Sequence, residues 1–215
     1  MKSIITRHLS CVFVAFALLT NSAFAQDSSF RRVQLSYGIS LEIPSHWTVL
    51  PLDTRKNLGA AVSAMMDNAG IEGLSSKKQN LLAVNATPEP TGSMIRVSVT
   101  SPPDYTQADL AAATPADLTE VGAELLKMFR QLEAFSGVKI IEMQPVRIEK
   151  FNGKLVLVMP YVRASTNKFD PSPWQVTQYK IPVSNRLIEI TLSHRQPDAI
   201  VWCPILERVK RSVRF

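Results

Sequence analysis

Val146-Arg147-Ile148-Glu149-Lys150-Phe151-Asn152-Gly153-Lys154-Leu155-Val156-Leu157-Val158 is the stretch whose reading decides the fold. Apolar and charged residues alternate from Val146 to Glu149, the two-residue period of a half-buried strand. Asn152-Gly153 then interrupts, and an apolar-rich run over 155–162 follows. A two-residue hairpin loop needs positive φ at both central positions, which Asn and Gly tolerate, so an antiparallel hairpin is predicted here. Working outward, residues 164–173 form a polar, proline-bounded loop leading to a strand over 174–181. Ser184-Asn185 turns the chain into a further strand over 187–192. This is a four-strand antiparallel meander. A helix over 197–215 ends the chain, with Ile205, Leu206 and Val209 on its inward face.

Upstream, the clearest helix begins at Thr114 and ends at Gly137. Thr114 caps it, Pro115 suits the first turn, and Asp117 stands three residues after the cap. Leu118, Val121, Leu125, Met128, Phe129, Leu132 and Phe135 make one stripe, which predicts core packing against a sheet. Strands are expected over 81–84 and 95–99, joined by a turn-rich segment with Pro88, Pro90 and Gly92. Leu58, Val62, Met65, Met66 and Ala69 follow helical steps, with Asp53 or Thr54 as cap and Gly70 as stop. Residues 71–78 read as a polar loop. Val33, Leu35 and Tyr37 alternate with polar neighbours, as do Ile39, Leu41 and Ile43, with Gly38 between them as a hairpin turn or a bulge. Pro44-Ser45-His46-Trp47 ends the second strand, and residues 48–50 continue the same ribbon. Strands in hairpins with helices between them indicate α+β, an antiparallel sheet packed between helices.

The first residues carry a different message. Lys2 and Arg7 precede an unbroken apolar run of nine residues at 11–19, and Ala23-Phe24-Ala25 closes it with the small-x-small pattern of a signal-peptidase site. The run is shorter than the ~20 residues that span a bilayer. Residues 1–25 therefore read as a secretory signal peptide and 26–215 as one α+β domain, periplasmic or secreted, with no transmembrane segment once the signal is removed. Charge in that remainder is uneven: 9 basic and 12 acidic residues over 26–137, against 13 and 6 over 138–215. Such a surplus steers acidic proteins or membrane headgroups, although basic residues on the solvated face of the last helix explain it as well. Export argues against nucleic acid as the partner.

The opening Tyr37-Gly38-Ile39-Ser40-Leu41-Glu42-Ile43-Pro44-Ser45-His46-Trp47 resembles the start of PsbP-like domains, where a strand runs into a Pro-x-x-Trp turn. Gln178-Tyr179-Lys180 on a late strand, the next strand over 186–193 and a closing helix with Ser212 near its end are similar to that family's C-terminal half. The resemblance implies an α-β-α sandwich used as an accessory or binding module. It carries over no catalytic residue, since the matched positions serve the fold.

Chemistry-bearing patterns are sparse. After the signal, His46 and His194 are the two histidines, and their spacing suggests no zinc site; no catalytic, metal or cofactor residues are assigned. His46 is expected to shape the turn before Trp47 and His194 to end a strand. Gly-x-Ser-x-Gly, phosphate loops and dinucleotide fingerprints are absent. Cys203 lies among Ile200, Val201, Trp202 and Ile205 and reads as a small buried apolar side chain. A reactive thiol would need a nearby cation or a helix N-terminus, which Pro204 would supply by opening a helix there. The surface singled out for binding is the loop with Arg163, Lys168, Phe169, Asp170 and Trp174, because loops of this length on a rigid sheet often carry function. A non-enzymatic exported binding protein follows, with an envelope protein or small ligand as partner. The rival is a small hydrolase or metal-dependent enzyme using His46 or His194, which requires one of them in a cleft beside an acid or nucleophile.

Overall fold

A computed structural model describes residues 29–68, 78–88 and 91–215. Strands β1 (Phe30–Gln34) and β2 (Ser40–Pro44) pair antiparallel as a separate ribbon. Tyr37 and Gly38 both take positive φ between them, so Gly38 serves a hairpin turn, and the alternation does not carry the strand on to Tyr37. The main sheet is antiparallel throughout, in the order β3-β4-β5-β10-β9-β8-β6. Its strands are β3 (Thr48–Val49), β4 (Lys78–Asn85), β5 (Ser93–Thr100), β6 (Ile140–Met143), β7 (Arg147–Phe151), β8 (Lys154–Arg163), β9 (Trp174–Val183) and β10 (Arg186–Arg195). β7 shares β8 with β6, each taking a different length of it. The meander is thus β7-β8-β9-β10, with Asn152 (φ 46°) and Gly153 (φ 79°) at its first turn.

The expected continuation of the ribbon through residues 48–50 is overturned. The Pro44–Trp47 turn carries the chain to the main sheet, where Thr48 pairs with Asn85 and Val49 with Val84. A further helix, unforeseen, is α2 (Gln107–Ala112), whose Thr106 and Asp109 make a reciprocal capping box like the one at Thr114 and Asp117. α1 (Leu52–Asn68) starts just before its expected caps, and the Gly70 stop and loop residues 71–77 lie outside the described residues. α3 (Pro115–Ser136) starts at Thr114 and stops at Gly137, in the left-handed region at φ 64°.

Alternation divides the layers. Ile188, Ile190 and Leu192 of β10, with Ile95, Val97 and Val99 of β5 and Val156 and Val158 of β8, face the largest core cluster. α4 (Ala199–Ser212) and the ribbon cover it, through Leu206, Val209, Ile39, Leu41 and Ile43. Ser212, the residue near the end of the closing helix, donates to the Val209 carbonyl at 2.7 Å and accepts the Glu42 amide at 2.7 Å. A two-way backbone pairing of Ser40 with Arg214 completes the seam. On the opposite face α2 and α3 pack Leu110, Leu118 and Leu125 on Leu157 and Met159. This is an antiparallel sheet between helices, an α-β-α sandwich.

The α3 stripe meets the sheet less deeply than core packing requires. None of its residues is fully buried, and Val121 and Phe135 are exposed. Leu125 and Phe129 do touch the sheet side, Phe129 stacking on Tyr161 with centroids 4.9 Å apart. Full burial of a leucine would make Leu→Ala cost about 2–5 kcal/mol. With Leu125 half-buried, Leu125→Ala is expected to cost about 1–2 kcal/mol by area removed from water. A urea melt checks this, and a loss above about 3 kcal/mol would mean a deeper seat.

Candidate functional site

The loop over 164–173 joins β8 to β9, and its ends are pinned. The Ala164 amide bonds to the Lys139 carbonyl at 2.8 Å, and the Gln196 amide to the Pro173 carbonyl at 2.8 Å. Inside it short polar side chains replace a backbone ladder: Asn167 Oδ1 accepts from the Phe169 amide at 3.0 Å, and Asp170 Oδ1 from the Ser172 amide at 3.2 Å. Such side-chain turns let a loop hold shape without a core.

Of the five residues singled out, two form one unit and a third is tied to a residue sequence reasoning missed. Arg163 lies over the Trp174 ring at 5.0 Å, and the two face each other in register across β8 and β9. Burial lowers the Arg163 guanidinium below its usual value. Asp170 pairs with Arg195 Nε at 3.0 Å, and Arg195 also reaches Asp198 at 3.4 Å, so one guanidinium joins the loop to the approach to α4. Hydrogen bonds from Ser172, with Arg195 beside it, hold the Asp170 carboxyl below its ordinary range. Lys168 and Phe169 stand apart from these contacts at the tip, and Phe169 is 97% exposed. The Asp170–Arg195 ion pair joins residues 25 apart and leaves no periodic trace, so the sequence does not show Arg195 as the loop's partner.

The histidines separate. His46 is exposed in the turn before Trp47, where its carbonyl accepts from Thr87 Oγ1 at 2.6 Å. His194 is buried on β10 beside Cys203 of α4. Cys203 contradicts its expected burial: it is exposed, because Trp202, Ile205, Leu206 and Val209 take the inward face of α4 and leave position 203 on its flank. Pro204 does not open the helix either. It sits inside α4, whose start is already set by a 3-10 turn over Gln196–Asp198. Trp47 is buried in edge contact with Trp202 at 5.7 Å, whereas Trp174 belongs to a different cluster. Among the described residues no three of His, Cys, Asp and Glu converge as metal ligands, and no helix is long and apolar enough to cross a membrane.

Architecture and strand order together define a PsbP-like α+β fold. The solution structure of cyanobacterial PsbP (CyanoP) from Synechocystis sp. PCC 6803 overlays with a TM-score of 0.52 at 14% identity, covering 95% of this chain and 96% of that one. LpqN of Mycobacterium tuberculosis, described as involved in cell envelope biogenesis, gives 0.46 at 11% identity over 88% and 93%. The Ran-binding protein Mog1p of Saccharomyces cerevisiae gives 0.40 at 10% over 86% and 94%. No family model and no curated protein matches the chain. At 14% identity the likeness to CyanoP establishes the fold and nothing finer.

Proposed function

We propose that residues 26–215 work as one exported, non-enzymatic accessory domain that holds an envelope protein through the 164–173 loop. Export rests on the charged start, the apolar run and Ala23-Phe24-Ala25. The observation that carries the binding reading is Phe169, 97% exposed at the tip of a loop whose base is anchored by Asp170–Arg195 and Arg163–Trp174. A large ring left in water on a pre-shaped support fits a macromolecular contact, where buried aromatics supply most of the binding energy. A small ligand would want a concave pocket instead, and two shallow cavities among the described residues lie along α3, around Leu126 and Arg130, away from the loop.

Affinity capture of the tagged chain from envelope extracts tests this, with mass spectrometry of bait and prey. The bait is expected to begin at Gln26 and to retain one envelope protein. Phe169→Ala should abolish that retention while moving stability by less than about 0.5 kcal/mol, as for other surface changes. Retention unaffected by Phe169→Ala would overturn the role of the loop, and a bait that keeps residues 1–25 would overturn export.

A further inference from the structure

The chain's one thiol outside the signal stands at the surface, directly above a buried base. Cys203 is exposed in α4, with Ile200 and Val201 beside it at 88% and 53% exposure, so its approach from solvent is open. Beneath it His194 is only 7% exposed, and its Nε2 lies 3.5 Å from Cys203 Sγ. The other ring nitrogen, Nδ1, lies 2.9 Å from the Arg195 carbonyl oxygen. A carbonyl oxygen only accepts, so Nδ1 carries the ring proton and Nε2 turns its lone pair to the thiol.

Those are the parts of an activated nucleophile: a thiol, a base within reach, and a third group that fixes the base's orientation. Packing alone gives no reason for an imidazole here. The position continues the inward row Ile188, Ile190, Leu192, where an apolar side chain would avoid the cost of burying a polar ring.

We propose that Cys203 and His194 form a thiol–disulfide exchange site, at which Cys203 takes up one half of a small disulfide from the surrounding compartment. His194 Nε2 removes the Sγ proton, and the sulfur attacks one sulfur of the disulfide. A new Sγ–S bond forms as the old S–S bond breaks, and the departing thiolate recovers the proton from His194. The sum is one protein thiol and one disulfide converted to one mixed disulfide and one free thiol, with no outside oxidant. The thiol and its base lie outside the 164–173 loop, and they share with it only Arg195, whose carbonyl faces His194 while its side chain pairs with Asp170.

The test uses the full chain carrying Cys11→Ser, so that Cys203 is its sole thiol, and the coloured aromatic disulfide dithiobis-nitrobenzoate as probe. At neutral pH the folded chain is expected to react at least about tenfold faster than the same chain in urea, where free cysteine in the same urea corrects for solvent; general bases commonly contribute more. His194→Gln, which accepts a hydrogen bond but takes no proton at this pH, should bring the folded rate down to the unfolded one with an unchanged melting temperature. If His194→Gln does not fold, the folded-to-unfolded ratio of the His194 chain decides alone. A folded rate no higher than the unfolded one, or a folded His194→Gln chain reacting as fast as its parent, overturns the site.

Discussion

Replacing Ile190 by alanine is expected to lower the unfolding free energy by about 2–5 kcal/mol, the range for emptying a buried aliphatic position. Ile190 is 2% exposed on β10, the strand between β5 and β9 in the middle of the sheet. It stands opposite Val97 on one side and Tyr179 on the other, within the cluster that α4 closes. Neighbours held by ladders on both sides of β10 relax little, so most of the cavity remains and its cost adds to the lost transfer energy. Urea melts measure the effect. A change below about 0.5 kcal/mol would place this face of β10 in solvent and invert the layers.

The second large effect concerns the other face, where the register sets a polar row across the sheet centre: Ser98, Glu189 and Lys180 on β5, β10 and β9. Glu189 is mostly buried there, 2.8 Å from Lys78 Nζ and 3.8 Å from Lys180 Nζ. Burial pushes its carboxyl up, but the two ammonium groups and the Lys78 hydrogen bond outweigh that and hold it below the ordinary glutamate range. Glu189→Gln should therefore cost about 1.5–3 kcal/mol at neutral pH, as for hydrogen bonds to charged groups. Because the folded value is the lower one, the carboxylate's contribution is complete above the unfolded pKa of about 4.3 and is lost as pH falls through the folded value. The gap between parent and Glu189→Gln should then close in acid. Urea melts from neutral pH down to about pH 2 measure it, and a gap that stays constant throughout would show that the charge is not what stabilises.

What could be read in the chain were features made within a few residues of one another. Asn152-Gly153 sets its own positive φ, and the Thr114–Asp117 capping box closes over three residues. Two-residue alternation named the strands of the meander for the same reason, and these elements suffice to choose an α+β sandwich. The equally local box at Thr106–Asp109 was legible too, but α2 is one and a half turns long and shows no stripe. Periodicity also gave the inward side of α3 while saying nothing of its depth, because depth depends on how closely the helix approaches β8. The remaining features join distant segments. Residues 48–50 pass from ribbon to main sheet because β4 offers a free edge, which no local pattern announces. Glu189 meets Lys78 across 111 positions, and Arg195 ties a loop to a helix start. Cys203 looked buried because its neighbours in sequence are apolar, yet burial follows the angle about the α4 axis. There Trp202, Ile205, Leu206 and Val209 take the core and leave the thiol on the flank above His194. Sequence alone determined most of the elements and their class, since those rest on short-range dihedral and capping preferences, while it left out α2 and put residues 48–50 in the ribbon. The site residues' neighbours were decided only by tertiary packing, since contact between distant segments depends on which faces the whole fold brings together.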